Sequence, residues 1–298
     1  MRAVVLGSGA GGGFPQWNCG CDNCQKARAG VEGFEPRTQS SLSVSVDGRR
    51  WAVLNASPDI REQINRNPAL HPTGLRDSPL SSVLVTNGDI DHLAGLLTLR
   101  EQQAFTLFVT PAIAEIIATN AVFRVLNPEK VAIVQVSLEH PFELLPGLQA
   151  RLFAVPGKVP LWAESGEVVT DMEGEQTVGV ELWGGDSRAF YIPGCAKMTA
   201  KLAARLQGAP LVFFDGTAWA DDEMARTGVG EKTSARMGHM TMGGKDGSIA
   251  AFRDLDVARR IYLHINNTNP VLDPASPERR EAERAGWEIG RDGQEVDW

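Results

Sequence analysis

Tyrosine occurs twice in 298 residues, cysteine four times and histidine five times. So small a supply of redox-active and metal-binding side chains makes any local concentration of them informative. Positive charge is also in deficit: 29 Lys and Arg against 37 Asp and Glu leave a net charge of −8. Phosphate backbones and anionic membranes are bound by clustered cations, so this balance argues against either as the main partner. No apolar run approaches the roughly 18 residues of a membrane helix. Met1-Arg2 leads straight into Ala3-Val4-Val5-Leu6, without the longer apolar segment and small-residue cleavage site of a signal peptide. A soluble, cytoplasmic protein with no membrane insertion is expected. Neither a repeat nor a low-complexity linker divides the chain, and a single domain over 1–298 is expected. With 43% hydrophobic residues it can bury a large core without disulfides.

What is present reads as many short strands with helices between them. Ala3–Leu6 is apolar and runs into glycines. Ser41–Val46 alternates polar and apolar, Asp47-Gly48 marks a hairpin turn, and Trp51–Leu54 suits the return strand. Further strands are expected at 82–86, 106–110, 148–155, 178–183, 189–192, 211–214 and 261–265. Helices are expected over Leu93–Gln103, from Pro111, and from Ser276-Pro277 to near Gly286. The pattern is a layered α/β arrangement with mixed sheets.

Gly7-Ser8-Gly9-Ala10-Gly11-Gly12-Gly13 follows the first strand. A dinucleotide loop would need a helix next and an acidic residue about 20 positions on. Phe14-Pro15-Gln16-Trp17-Asn18 is a poor helix start, so the glycines are better read as letting the backbone pass close to another element or a ligand. Cys19-Gly20-Cys21-Asp22-Asn23-Cys24 then offers three thiolates on a tight loop, within a Cys-rich zinc loop at about 14–28. They can occupy three corners of a zinc tetrahedron at roughly 2.3 Å, and thiolate-rich closed sites are mainly structural. The fourth corner must come from elsewhere, with Cys195, His239, His264 or a side chain near it, or a water as candidates. Asp89-Ile90-Asp91-His92 lies just beyond a strand, where α/β sheets place ligand-binding loops.

Thr86-Asn87-Gly88-Asp89-Ile90-Asp91-His92 resembles the T-H-x-H-x-D-H signature of the metallo-β-lactamase superfamily. The run from Ser8 to Cys19 is closer still to one branch, the pyrroloquinoline quinone (PQQ) biosynthesis protein B family. So are Arg37-Thr38-Gln39-Ser40-Ser41, Asn55–Arg61, Phe214-Asp215-Gly216-Thr217, Met237-Gly238-His239 and His264–Pro270. The resemblance implies an αββα sandwich, two packed mixed β-sheets flanked by helices, with the site along the sandwich edge. Hydrolases of the superfamily usually hold two metals. Here the first two histidine positions are Asn87 and Asp89, no histidine lies between His140 and His239, and Tyr191–Cys195 offers no bridging carboxylate. The resemblance thus leaves one metal, on Asp91, His92 and His264, with Asp89 counted beside them as an active-site ligand. One carboxylate and two imidazoles with open positions match the donor set of non-haem Fe(II) oxygenases. Taken singly, each of the three has a plainer role, as a helix cap or a hydrogen-bonded core residue.

The family is tied to making PQQ from a Glu and a Tyr of a precursor peptide. The function implied is that of an iron-dependent hydroxylase, an oxidoreductase, acting on the tyrosine ring of the Glu–Tyr-derived precursor with Fe2+ as cofactor and O2 as co-substrate. The alternative is a non-catalytic soluble carrier of PQQ or its precursor toward the periplasm; hydrolysis comes last, because one metal site is missing. His239 is expected as a proton donor or substrate contact. Asp215 is expected to hold an imidazole in place. Arg37 and Arg61 are expected to pair with substrate carboxylates. In the phosphodiesterase branch the structural metal takes its fourth ligand three residues after the late histidine, which is Asn267 here, a weak zinc ligand. The partners expected are the small amino-acid-derived precursor and a second copy of the chain in a homodimer.

Overall fold

In the computed structural model, which describes residues 1–166 and 168–298, neighbouring residues of one strand serve different cores. The strands are β1 (Arg2–Gly7), β2 (Ser41–Ser45), β3 (Trp51–Leu54), β4 (Leu80–Leu84), β5 (Phe105–Val109), β6 (Val131–Gln135), β7 (Pro141–Leu145), β8 (Leu148–Ala154), β9 (Val178–Gly184), β10 (Ser187–Ile192), β11 (Leu211–Asp215), β12 (Arg259–Leu263), β13 (Trp287–Ile289) and β14 (Glu295–Asp297). Ala3 and Val5 of β1 face the centre of the molecule with Leu42, Ala52, Leu152, Tyr191 and Phe213. Val4 and Leu6 face the other way, with Trp51, Val83, Leu107, Ile113 and Ile117. In β10 and β11 the partition recurs, with Phe190, Ile192, Val212 and Phe214 lying against Leu202, Leu206 and Trp287 on the far side. Side chains alternate across a strand, so these runs of consecutive apolar residues require a sheet covered on both faces.

Two seven-stranded sheets result, ordered β14-β1-β2-β3-β4-β5-β6 and β13-β12-β11-β10-β9-β8-β7. Each is mixed: β1-β2-β3 pair antiparallel and β3-β4-β5-β6 parallel, while β7 to β10 pair antiparallel and β10 to β13 parallel. Helices such as Pro111–Thr119 and Ala200–Leu206 cover the outer faces, giving the expected αββα sandwich. Ser276 caps its helix through its side chain, as the local sequence predicts, and Thr110, expected as the end of a strand, caps the helix that Pro111 opens. Among the described residues no helix is long and apolar enough to cross a membrane.

The helix expected over Leu93–Gln103 is much shorter. Chain turns helically at Ile90–Leu93 and continues only as a 3-10 turn, Ala94–Leu97. The cause is a backbone exchange: the Ala56 amide donates to the His92 carbonyl, and the Gly95 amide donates to the Ala56 carbonyl. Groups that would extend the helix are bonded to the loop after β3 instead, and this pins the His92 backbone. Gly95 permits the approach, since a Cβ there would lie 2.1 Å from the Ser57 carbonyl oxygen and 2.7 Å from that of Ala56. Gly95→Ala is therefore expected to cost about 2 kcal/mol and to lower Tm by about 5 °C in thermal unfolding; an unchanged Tm would show that this loop yields freely.

Candidate metal centre

Both sheets deliver side chains to one edge at the C-terminal ends of parallel strands, where open α/β sheets form their crevices. The loop after β4 carries Asn87, Asp89, Asp91 and His92. Asp215 ends β11, and His264 stands one residue past β12. His264 adopts φ +56, a left-handed conformation that costs a non-glycine residue free energy and persists only where surroundings impose it. Here the adjoining backbone is fastened on both sides, with Gly216 donating to the Leu263 carbonyl and Ile265 to that of Ser8.

The hydrogen bonds fix which nitrogen of His92 is free. The Asn87 amide is oriented at both ends: Nδ2 donates to Asp89 Oδ2 at 3.0 Å, and Oδ1 accepts from the Asp89 amide at 3.1 Å. That oxygen lies 2.6 Å from His92 Nδ1, which must therefore carry the proton. His92 Nε2 is left with a lone pair, buried and without a partner among the described residues. Burial pushes the His92 pKa down to about 4, so the ring is neutral at pH 7. A buried nitrogen with no partner is costly unless something else satisfies it.

His264 is set in the same sense. Thr217 Oγ1 donates to Asp215 Oδ1 at 2.7 Å and lies 2.7 Å from His264 Nδ1, which turns Nε2 toward Asp91 Oδ2 at 3.2 Å. Asp91 Oδ2 is also 3.7 Å from His92 Nε2. Two donors about 2.1 Å from one ion stand about 3.0–3.4 Å apart at octahedral to tetrahedral angles. The unpartnered Nε2 and the donor spacing fit a single cation, and Asp91, His92 and His264 converge within 4.8 Å. Burial opposes the charge on Asp91, but the two histidines hold its carboxyl well below the usual range. Burial likewise opposes an imidazolium at His264, yet the bond to Asp91 and the nearby carboxylates outweigh it and raise its pKa.

Asp89 is turned into the cavity wall with Oδ2 held by Asn87, outside that three-residue group. Burial and the charge of Asp91 raise its pKa. Asp215 and His239 come together: His239 Nδ1 lies 2.6 Å from Asp215 Oδ2, leaving Nε2 as the nitrogen free for the cavity. The remaining lone pairs of Asp215 accept from the amides of Cys195 and Thr217 and from the Thr217 hydroxyl. So fully committed a carboxylate positions its neighbours.

The cavity has a volume of about 260 Å³ and is walled by Ala10 and Gly11 of the glycine-rich turn, Leu161, Met237, and the cations Lys158, Lys232 and Arg236. Neither arginine expected to meet substrate lines it. Arg37 is buried, donating from Nη1 to Ser8 Oγ and to the Gly290 carbonyl. Arg61 is exposed on the helix Ile60–Arg66. A basic side chain within a recognisable segment is an ambiguous signal; Lys158 and Lys232 lie in stretches with no motif around them, and Arg236 directly precedes Met237-Gly238-His239 without belonging to it.

At the N-terminal loop the sulfurs of Cys19, Cys21 and Cys24 lie within 4.8 Å of one another. Asn267 closes the group, its Nδ2 standing 3.1, 3.7 and 3.4 Å from the three sulfurs in that order. Burial and the neighbouring thiols push Cys21 up to about 12. At Cys19 burial is outweighed by hydrogen bonds from the surrounding groups, and the pKa is lowered. A thiol triad that shares charge in this way suits a soft divalent cation. Cys195 is directed elsewhere, its Sγ 3.3 Å from the Lys197 carbonyl, and burial raises its pKa to about 12.

Residues 50–265 match the β-lactamase superfamily domain. The chain is 57% identical over 296 residues to coenzyme PQQ synthesis protein B of Rhizobium meliloti, covering 99% of this chain and 97% of that one. It is 53% identical over 298 residues to the protein of the same name from Methylorubrum extorquens, covering 100% of both. The crystal structure of Zn(2+)-bound PqqB from Methylobacterium extorquens superposes with a TM-score of 0.98 at 53% identity over 100% of both chains. A diphosphatase from the PhnP family shares the fold, with a TM-score of 0.69 at 19% identity over 100% of this chain and 97% of that one. The chain thus belongs to the coenzyme PQQ synthesis protein B family of the β-lactamase superfamily, and its function lies in PQQ biosynthesis.

Proposed function

We propose that the chain is a mononuclear iron-dependent oxygenase that hydroxylates the tyrosine-derived ring of the Glu–Tyr precursor of PQQ. The observation that carries the reading is the convergence of Asp91 Oδ2, His92 Nε2 and His264 Nε2, with the His92 nitrogen unpartnered. Asn87, at a position where superfamily hydrolases bring a metal ligand, instead bonds to His92 Nδ1, which favours one metal over two. Asp91, His92 and His264 would hold the iron, and iron supplies the O2 chemistry that protein side chains lack. The chain's own residues do the rest. Lys158, Lys232 and Arg236 are the groups that an acidic substrate could pair with, Lys232 directly and the other two in exchange for Glu164, to which they are bonded. His239, held at Nδ1 by Asp215, presents Nε2 for a proton at the ring oxygen or at departing water. One oxygen atom enters the ring and the other leaves as water, with two electrons from an external reductant. We also assign the Cys19, Cys21, Cys24 and Asn267 site to structural zinc, a role that the three converging sulfurs support.

The test uses protein loaded anaerobically with Fe(II), then mixed with a tyrosine-containing precursor analogue, ascorbate and O2. Oxygen uptake coupled mole for mole to ring hydroxylation is expected. Tight binding of PQQ with no turnover under any metal would overturn the oxygenase and leave a carrier.

A further inference from the structure

Two of the three cavity cations are already taken by a carboxylate of the chain itself. Glu164 Oε1 lies 2.9 Å from Lys158 Nζ and 3.1 Å from Arg236 Nη1, and its Oε2 lies 2.7 Å from Arg236 Nη2. This is the two-pronged guanidinium–carboxylate geometry, with an ammonium added on one edge. Lys158 follows β8 and Arg236 lies in the helix Ser234–Met237, so the receptor is assembled from distant parts of the chain. Its position is set by packing, because the Lys158 stem runs against Gly238 at the end of that helix. Lys232, also on the cavity, has no carboxylate partner among the described residues.

The segment that carries Glu164 is lightly held. It follows the short turn Leu161–Ala163, and Trp162 Nε1 donates to the Gly88 carbonyl at 3.1 Å. Leu161 and Trp162 remain 55% and 46% exposed, so little apolar burial fastens this stretch.

We propose that Lys158 and Arg236 are the carboxylate receptor for the substrate, and that Glu164 occupies it until a substrate carboxylate takes its place. The inference rests on the preceding reading only for the identity of the acid; the exchange itself follows from the geometry. Carboxylate for carboxylate keeps both ion pairs, so the cost of exchange is confined to moving a lightly held segment. A neutral ligand has nothing to offer the two cations and must leave Glu164 in place, which selects acids over their neutral analogues. Arg236 and Lys158 also hold the Glu164 carboxyl down at about 2, so it stays ionised at neutral pH and is released by competition.

The probe is PQQ, a tricarboxylate, compared with its trimethyl ester by titration calorimetry against the full chain without iron. Glu164→Gln should bind PQQ about tenfold more tightly and Arg236→Gln about tenfold more weakly, with the ester insensitive to both changes. Unchanged or weaker PQQ binding in Glu164→Gln would make Glu164 a strut and overturn the exchange. If that variant does not fold, Glu164→Asp is used, since its shorter arm cannot reach both cations; tighter binding supports the proposal and equal or weaker binding overturns it. Because neither iron nor O2 takes part, the outcome stands apart from whether the chain hydroxylates.

Discussion

His92→Ala is expected to abolish hydroxylation and to weaken iron binding by at least about a hundredfold, while leaving the metal-free protein close to its original Tm. The asymmetry follows from the unpartnered Nε2. In the metal-free fold that nitrogen contributes nothing and carries a desolvation cost of about 1–3 kcal/mol. Truncation leaves a cavity and gives up the bond to Asn87 Oδ1, but it also removes that cost, which offsets much of the loss. Cation binding has no such compensation, since one of three converging donors is gone. Asn87→Ala should act in the same direction and less severely: it frees the ring to rotate or change tautomer, and losing such a support lowers metal affinity by about 10- to 100-fold. Equilibrium dialysis against Fe(II) under anaerobic conditions, paired with thermal unfolding of the metal-free variants, separates the two effects. Stoichiometric iron on His92→Ala would remove the basis for the oxygenase. The wild-type site also has a defined pH sense. His264 gains a proton through its raised pKa, and a cation must displace it from Nε2, so iron affinity should fall as pH falls.

Part of this site is legible in the sequence and part is not. Asp91, His92 and His264 stand in segments whose residue types are already those of a metal site. Their meeting follows from parallel strands β4, β11 and β12 ending at one edge. The inner strands could be read because both of their faces are buried and their apolar runs are continuous. The edge strand β7 begins at Pro141 and has no such run, whereas β6 carries one, Val131-Ala132-Ile133-Val134, although as an edge strand it leaves Ile133 and Val134 45% and 37% exposed. The short helix after His92 could not be foreseen, because what stops it is a backbone exchange with Ala56, a contact between distant positions. The same holds for the cavity cations. Arg37 sits in a distinctive segment and serves the fold; Lys158 sits in a plain one, Arg236 just before Met237-Gly238-His239, and both are made significant by Glu164 and by each other.

Cys24→Ser is expected to remove zinc from the thiolate site and to lower Tm by about 10 °C, the second-largest effect foreseen. Cys24 is fully buried in the core beneath the outer helices, so the hydroxyl that replaces its sulfur is a poor zinc ligand and a poor core residue at once. Thiolate zinc sites contribute directly to folding free energy, and a chelator applied to the wild type should reproduce most of the loss. The effect should reach the group of Asp91, His92 and His264 as well. Asn267 stands at the corner of the thiolate group only three residues beyond His264, whose left-handed backbone is held by its neighbours. Releasing that corner relaxes the constraint on His264, so the zinc-free variant should also bind Fe(II) more weakly although every iron ligand remains. Metal analysis of the two sites checks both claims: one equivalent of zinc retained by Cys24→Ser, or iron affinity untouched by zinc loss, would contradict them. Asn267 provides the finer control. In the metal-free geometry its Nδ2 faces the sulfurs, and a cation requires the amide to turn its oxygen inward. Asn267→Asp should therefore keep zinc, having oxygen on both branches, whereas Asn267→Leu should lose it while filling the same space.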